Sequence, residues 1–204
     1  MSDGQSVNLR IQLFHSFEVI RDGQQPAKFE ADTARALLAY LAVQPGKVIK
    51  REALATLFWD AQDTATSLTN LRAALRRIRL ALGSADGNET EPQETSLQAD
   101  VIIADRTTLA FNPAHAWVDV LAFEQLLAEV RRHQHAAVEE CPDCIDHLTA
   151  AVGLYRGPFL ADLTLDVQPF EDWRRSESER LQRLAMAALY TLGEYAFRTG
   201  AFAE

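Results

Sequence analysis

The stretch TATSLTNLRAALRRIRLALG, residues 64–83, decides the fold because it has the pattern of one helix with two unlike sides. Its large apolar residues recur at steps of three and four, which at about 100° per residue places them on one narrow stripe. The stripe consists of Leu68, Leu71, Leu75, Ile78 and Leu82. The opposite side carries Thr66, Thr69, Arg72, Ala73, Arg76 and Arg77. Such a helix can dock on a core and still contact a phosphate backbone.

Both ends of this helix are also marked in the sequence. Asp63 or Thr64 can cap the free amides at its start, and Gly83 supplies the left-handed residue that ends it. Taken alone, the helix fits an ordinary solvated surface as well as it fits a nucleic-acid partner. Its neighbours along the chain have to decide between the two.

The composition is that of a folded protein without a membrane span. The chain has 204 residues, 48% of them hydrophobic, which is enough for two small domains with cores. No apolar run approaches the roughly 18 residues that span a bilayer, and the N-terminus lacks a secretory pattern. The two cysteines, Cys141 and Cys144, are too few for a secreted disulfide framework. We therefore expect a cytoplasmic protein without a membrane partner.

The net charge of −9 is unevenly distributed. Residues 1–112 carry 12 basic and 14 acidic residues, whereas residues 113–204 carry 8 and 15. Four acidic residues of the first part lie in one segment, SADGNETEPQETS at residues 84–96. A locally basic surface is therefore compatible with the acidic whole.

The N-terminal residues have the pattern of a small antiparallel sheet. Residues 8–14 and 17–21 read as strands, and a turn follows at Asp22 and Gly23. A further short strand segment is expected around residues 27–29.

The spacing of apolar residues then changes from that of strands to that of helices. Helices are predicted over 33–43 and 50–59, ahead of the arginine-bearing third helix. After the acidic linker, residues 101–103 and 108–111 read as the strands of a β-hairpin. From Trp117 on, the pattern is wholly helical, with helices at 120–132, 141–155 and 170–198. We place a domain boundary near Pro113.

Three helices with an arginine-bearing third member, between a sheet and a hairpin, follow the order of a winged helix-turn-helix. Residues 9–83 resemble the OmpR/PhoB-type DNA-binding domain of the Streptomyces antibiotic regulatory protein (AfsR-like) activators. The motifs are LRIQLFHSFEVIRDG, TARALLAYLAVQPGKVIKREALATLFW and LTNLRAALRRIRLALG. Residues 117–200 are similar to the bacterial transcriptional activator domain that follows it, through WVDVLAFEQLLAEV, LTAAVGLYRGPFLADL and FEDWRRSESERL.

The expected fold is therefore an α+β winged helix-turn-helix N-terminal domain over residues 1–112, followed by an all-α, tetratricopeptide-like helical domain over 113–204. The linker at 84–96 departs from the family pattern, because it is longer and more acidic than that pattern needs. Since DNA would repel its charge, the linker either points away or lowers affinity.

The resemblance implies a transcriptional regulator, an activator, that binds double-stranded DNA with its third helix in the major groove and its hairpin, the wing, at a minor groove. By position, the base-reading candidates are Thr66, Thr69, Arg72, Ala73 and Arg76. The candidates for phosphate contacts are Arg77 and Arg79, with Lys47, Lys50 and Arg51 before the second helix. Arg106, at the wing tip, is a candidate for a minor-groove or phosphate contact. An arginine fork bonds a guanine edge bidentately, which favours Arg72 and Arg76 as sequence readers. For each residue the alternative is a solvated surface charge.

The C-terminal part has the pattern of a packing and partner surface. Leu189, Leu192, Gly193, Gly200 and Phe202 have the spacing of the first helix and turn of a tetratricopeptide repeat. We therefore expect the chain to be part of a longer polypeptide, with dimer or RNA polymerase contacts in its helical domain. The expected core of this part is Trp117, Phe123, Leu126, Leu127, Leu148, Tyr155, Phe159, Phe170 and Trp173.

A cluster of histidines and cysteines follows the pattern His133-x-His135-x5-Cys141-x2-Cys144-x2-His147. Such residues can form a tetrahedral zinc site or a local disulfide, and the alternative is a polar loop followed by a helix with proline in its first turn. The second cysteine or histidine pair of a strong zinc pattern is missing. We therefore expect no metal and no cofactor here.

The leading hypothesis is a DNA-binding transcriptional regulator, and no catalytic constellation argues for an enzyme. The rival hypothesis is a protein-interaction scaffold whose winged helix does not bind DNA. The rival predicts basic residues scattered over the N-terminal domain instead of gathered on one face.

Overall fold

The computed structural model describes residues 9–83, 101–133 and 138–200. The acidic linker at 84–96, His135 and Phe202 lie outside these residues. Of the helices within them, none is both long and apolar enough to span a bilayer.

The N-terminal sheet combines two strands from the start of the chain with one strand from its C-terminal part. Strand β1 (Leu9–Gln12) pairs antiparallel with β2 (Glu18–Arg21) and parallel with β6 (Ala116–Val118). The expected strand segment at 27–29 was wrong, because Ala27 only donates its amide to the carbonyl of Val19, at 2.7 Å. The third strand comes instead from a segment about a hundred residues later.

Three helices pack between this sheet and the wing. They are α1 (Asp32–Ala42), α2 (Arg51–Phe58) and α3 (Thr64–Ala81), and all three predicted helices are confirmed. The apolar faces of α1 and α3 lie in the shared hydrophobic core. Gly83 follows α3 with a φ of +73°, so the predicted left-handed stop is confirmed as well.

The wing is a three-stranded antiparallel sheet of order β3-β5-β4. It consists of β3 (Ile49–Lys50), β4 (Ile102–Ala104) and β5 (Thr108–Phe111). The predicted hairpin is therefore confirmed, and β3 attaches it directly to the start of α2.

The C-terminal part contains α4 (Asp119–Arg132), α5 (Pro142–Leu154) and the long α6 (Gln168–Thr199). The prediction that the chain is wholly helical from residue 117 was wrong, because Trp117 lies in β6. Trp117 is also 37% exposed and lies against the guanidinium of Arg10, so it does not belong to the core. The other predicted core residues are buried or half-buried.

A buried carboxylate joins the N-terminal sheet to the C-terminal helices. Asp119, the first residue of α4, accepts hydrogen bonds from the amides of Leu13, Phe14 and Val120 at 2.7–3.0 Å. Burial raises the pKa of Asp119, although these three amides favour its charged form. The aromatic rings of Phe58 and Phe170 also meet, with centroids 5.3 Å apart. Residues on both sides of position 113 therefore share one core.

Candidate nucleic-acid interface

Helix α3 has one buried face and one exposed face. Leu71, Leu75 and Ile78 are at most 1% exposed, and Leu68 and Leu82 are half-buried against the same core. Thr66, Thr69, Arg72, Arg76 and Arg77 are exposed, whereas Ala73 and Arg79 are half-buried. The amphipathic pattern in the sequence thus corresponds to the real division between core and solvent.

The start of α3 is fixed by its cap and by a buried serine. The carboxylate of Asp63 accepts hydrogen bonds from the amides of Ala65 and Thr66 and from the Thr66 hydroxyl, at 2.6–3.1 Å. The hydroxyl and amide of Thr66 lower the pKa of Asp63. The Ser67 hydroxyl donates to the carbonyl of Trp59, at 3.2 Å. This contact links the start of α3 to the end of α2.

The exposed arginines of α3 have no acidic partner on their own helix. Its 18 residues include no aspartate or glutamate. Arg72, Arg76 and Arg77 make no hydrogen bond or ion pair with any residue in the described parts of the chain. Their guanidinium groups are therefore available to an anionic partner.

The wing tip is a rigid turn that contacts the start of α2. The carboxylate of Asp105 accepts hydrogen bonds from the amides of Thr107 and Thr108 and from the Thr108 hydroxyl, at 2.6–2.7 Å. These contacts hold the pKa of Asp105 well below its usual range. Arg51 donates its amide to the Thr107 carbonyl and its Nε to the Asp105 carbonyl, at 2.8 and 2.9 Å. Arg51 therefore positions the wing.

Two further predicted contacts lie at this corner. Lys50 pairs with Thr108 in the wing sheet and is exposed. Arg106, at the tip, is exposed and has no hydrogen bond or ion pair within the described ranges. The structure therefore brings Lys50, Arg51 and Arg106 together, whereas the side chain of Lys47 donates to Gln44 at 2.7 Å.

Other arginines of the N-terminal part are engaged in contacts within the protein. Arg21 donates to the carbonyl of Leu82 at 2.6 Å, and Arg35 forms ion pairs with Asp32 and Asp162. The difference between these arginines and the exposed ones of α3 is not visible in the composition. The side chains of Thr107 and Thr108 also lie at the wing corner, and the sequence analysis did not single them out. An aspartate two and three residues before two threonines is the signal of such a turn.

The histidine and cysteine cluster is partly assembled. His133 follows the end of α4, Cys141 precedes α5, and Cys144 lies in the first turn of α5. The His133 Nδ1 is 3.5 Å from both sulfurs. The hydrogen bond with His133 lowers the pKa of Cys141, whereas burial raises the pKa of Cys144 to about 11. His147 is not in the cluster, and its buried Nδ1 has no partner among the described residues.

Comparison with known proteins adds a family and a fold. Residues 118–204 match the family model of the bacterial transcriptional activator domain. A structure of Mycobacterium tuberculosis EmbR in complex with low affinity phosphopeptide matches 94% of this chain, with a TM-score of 0.68 and 22% identity. The predicted resemblance of the C-terminal part to the bacterial transcriptional activator domain is confirmed. This chain spans 46% of the EmbR chain, and no curated protein matches it.

The family match also places the activator domain in the fold. The domain begins at Val118, the last residue of β6, and includes α4, α5 and α6. The expected winged helix followed by a helical domain is confirmed by the EmbR fold. The activator domain thus begins at the strand that pairs with β1.

Proposed function

We propose that this chain is a sequence-specific transcriptional regulator, an activator, that binds double-stranded DNA through α3 and the wing. The observation that carries the proposal is the exposed row of Arg72, Arg76 and Arg77 on a helix without acidic residues. Arginine forks bond phosphates and the O6 and N7 acceptors of guanine, so this row suits both kinds of contact. The order of helices and wing is that of a winged helix, which supports the major groove as the place of α3.

Within this proposal the predicted residues divide into two groups. Arg72 and Arg76 read bases, together with the smaller side chains Thr66, Thr69 and Ala73. Arg77, Arg79, Lys47, Lys50 and Arg106 hold the DNA backbone. Arg51 contributes through the wing, since its Nε is bonded to the carbonyl of Asp105. Phosphate contacts fix the register and base contacts select the sequence.

The rival hypothesis, a scaffold without DNA binding, is less well supported. It predicts scattered basic residues, whereas Lys50, Arg51 and Arg106 gather at one corner beside the start of α2. The activator domain supplies the surface for a second copy of the chain or for RNA polymerase in this proposal. In this proposal the protein acts in the cytoplasm, the compartment that holds bacterial DNA.

Selection of bound duplexes from genomic DNA, followed by titration of the selected duplex, tests the proposal. Arg72→Ala and Arg76→Ala should each lower affinity by about 1–3 kcal/mol and relax the preference at one base position. Arg183→Ala, which removes an exposed arginine of α6, is the matched control and should leave affinity unchanged. Wild-type affinity and sequence preference in both α3 variants would sink the assignment of α3 as the reading helix.

A further inference from the structure

The end of α4 and the start of α5 bring one imidazole and two thiols together. The ligand atoms of His133, Cys141 and Cys144 all lie within 4.8 Å of one another. The arrangement is produced locally, because Cys141 is the N-cap of α5 and Cys144 is its third helical residue. Side chains at these two positions meet above the first turn of a helix, as in a capping box. His133 reaches them from the end of α4.

The distances fit a tetrahedral zinc ion. Zinc bonds of about 2.3 Å to sulfur and about 2.0 Å to nitrogen, at tetrahedral angles, separate a sulfur from a nitrogen by about 3.5 Å. The two such separations in this cluster are both 3.5 Å. A disulfide between the cysteines would not need an imidazole at equal distances from both sulfurs. The position of His133 therefore favours a metal over a disulfide.

We propose that His133, Cys141 and Cys144 bind a single Zn²⁺ ion that joins the end of α4 to the start of α5. Two thiolates and an imidazole form a soft ligand set that selects zinc over calcium or magnesium. His133 is exposed and Cys141 is half-buried, so an ion can enter from solvent, whereas Cys144 is fully buried. The free amides at the start of α5 favour the negative charge of the Cys141 thiolate. The fourth position is left to water.

This proposal changes the expectation from the sequence, which favoured no metal. The sequence lacks the second pair of ligands of a strong zinc pattern. In the structure one more ligand comes from the preceding helix, eight residues before Cys141. The proposal is independent of DNA binding, because all three ligands belong to the activator domain.

Cobalt titration of the full chain, reduced and freed of metal, tests the site. Co²⁺ should bind at one equivalent, with the absorption bands of a tetrahedral ion and of thiolate-to-cobalt charge transfer, and Zn²⁺ should displace it. Cys141→Ser is the first variant, because Cys141 is not in the buried core and circular dichroism can verify its fold. It should lose the charge-transfer contribution of one thiolate and weaken zinc binding by at least about 100-fold, the upper end of what losing an outer partner of a ligand costs.

Two further variants distinguish a histidine that binds the zinc ion from one that lies outside the cluster. His133→Gln should weaken zinc binding as Cys141→Ser does. His147→Gln changes a histidine of the same domain that is outside the cluster, so it should leave zinc affinity unchanged. In the wild type, one equivalent of Zn²⁺ should protect both thiols from alkylation.

The contrary results are equally definite. A reduced chain that shows no thiolate-to-cobalt band, and whose two thiols stay open to alkylation with excess Zn²⁺, overturns the proposal. So does a set of variants in which His147→Gln weakens binding as much as His133→Gln.

Discussion

Helices α3 and α6 both carry several arginines, and two arginines of α6 are held by carboxylates in a way that the exposed arginines of α3 are not. In α6, Arg174 forms an ion pair with Glu171 at 2.7 Å, and Arg180 with Glu177 at 2.5 Å. Arg180 also reaches Glu124 on α4, at 2.6 Å. In α3, by contrast, Arg72, Arg76 and Arg77 have no ion pair with the described residues.

The difference lies in the residue that precedes each arginine by about one helical turn. Arg174 and Arg180 each follow a glutamate by three residues, and such pairs are neighbours on a helix surface. The residues three before Arg72, Arg76 and Arg77 are Thr69, Ala73 and Ala74. Arg174 and Arg180 therefore stabilise the protein, whereas Arg72, Arg76 and Arg77 are exposed and have no ion pair among the described residues. Net charge conceals this difference, because it counts every arginine alike.

The largest effect is expected when the unpaired arginines are removed together. The double variant Arg72→Ala with Arg76→Ala should lose about 2–6 kcal/mol of DNA-binding free energy, twice the usual cost of one base-reading arginine. The free energy of unfolding should change by less than about 0.5 kcal/mol, because neither side chain contacts the core. Fluorescence anisotropy with the selected duplex and urea unfolding measure the two quantities. If the free energy of unfolding falls as much as the DNA-binding free energy, these arginines stabilise the fold, as Arg174 and Arg180 of α6 do.

The second prediction concerns a variant in which α3, like α6, has a glutamate three residues before an arginine. Ala73→Glu places a carboxylate three residues before Arg76 and four before Arg77. DNA affinity should fall by about 1–2 kcal/mol, because neutralising an arginine does not cost more than removing one. The slope of log affinity against log salt should also become shallower by about one. Ala73→Gln, which has the same shape without the charge, is the control, and an equal loss there would point to steric obstruction.

The third prediction removes a paired arginine. Arg180→Ala breaks the contacts to Glu177 and Glu124, but the Arg180 side chain is 39% exposed, which limits the cost. The free energy of unfolding should fall by about 0.5–1 kcal/mol, and DNA affinity should not change. Urea unfolding and duplex titration on the same preparation check both values. A clear loss of DNA affinity would place Arg180 of α6 at the DNA interface, and its role would then not differ from that proposed for the α3 arginines.

The smallest effect concerns the cap of α3 and its dependence on pH. Hydrogen bonds from Thr66 lower the pKa of Asp63 in the folded protein, so its carboxylate stabilises the fold above the ordinary aspartate pKa. That contribution is lost as the pH falls through the lowered folded pKa. Asp63→Asn keeps a capping oxygen but has no such titration.

Urea unfolding of the wild type and of Asp63→Asn, from about pH 6 to about pH 3, measures this contribution. The wild type should have the larger free energy of unfolding at about pH 6, and its difference from Asp63→Asn should become smaller as the pH falls. A difference in free energy of unfolding that grows as the pH falls would contradict the assigned role of Asp63.

Much of the fold was predictable because its signals are local. The spacing of Leu71, Leu75 and Ile78 defined the buried face of α3, and Asp63 and Gly83 marked its ends. The polar turn between β4 and β5 likewise placed Arg106 at the wing tip. In each case the evidence lies within one or two helical turns or one hairpin.

The features that sequence reasoning missed depend on distant pairs of residues. Nothing near Trp117 indicates that its strand pairs with β1, and the amides that Asp119 bonds are 105 and 106 residues away. The same limit applies to the candidate sites. The sequence suggested the arginines of α3, but the contact of Arg51 with the wing and the approach of His133 to both sulfurs required the three-dimensional arrangement.

The parallel pairing of β1 with β6 has a consequence for protein engineering. A chimera cut between residues 112 and 113, made to move the N-terminal module onto another C-terminal region, would leave one edge of β1 without its neighbour. It would also remove the carboxylate that the amides of Leu13 and Phe14 contact. A transplant that carries residues 113–119 along with the module keeps both contacts. A cut after Asp119 therefore disturbs the N-terminal sheet less than a cut at position 113 does.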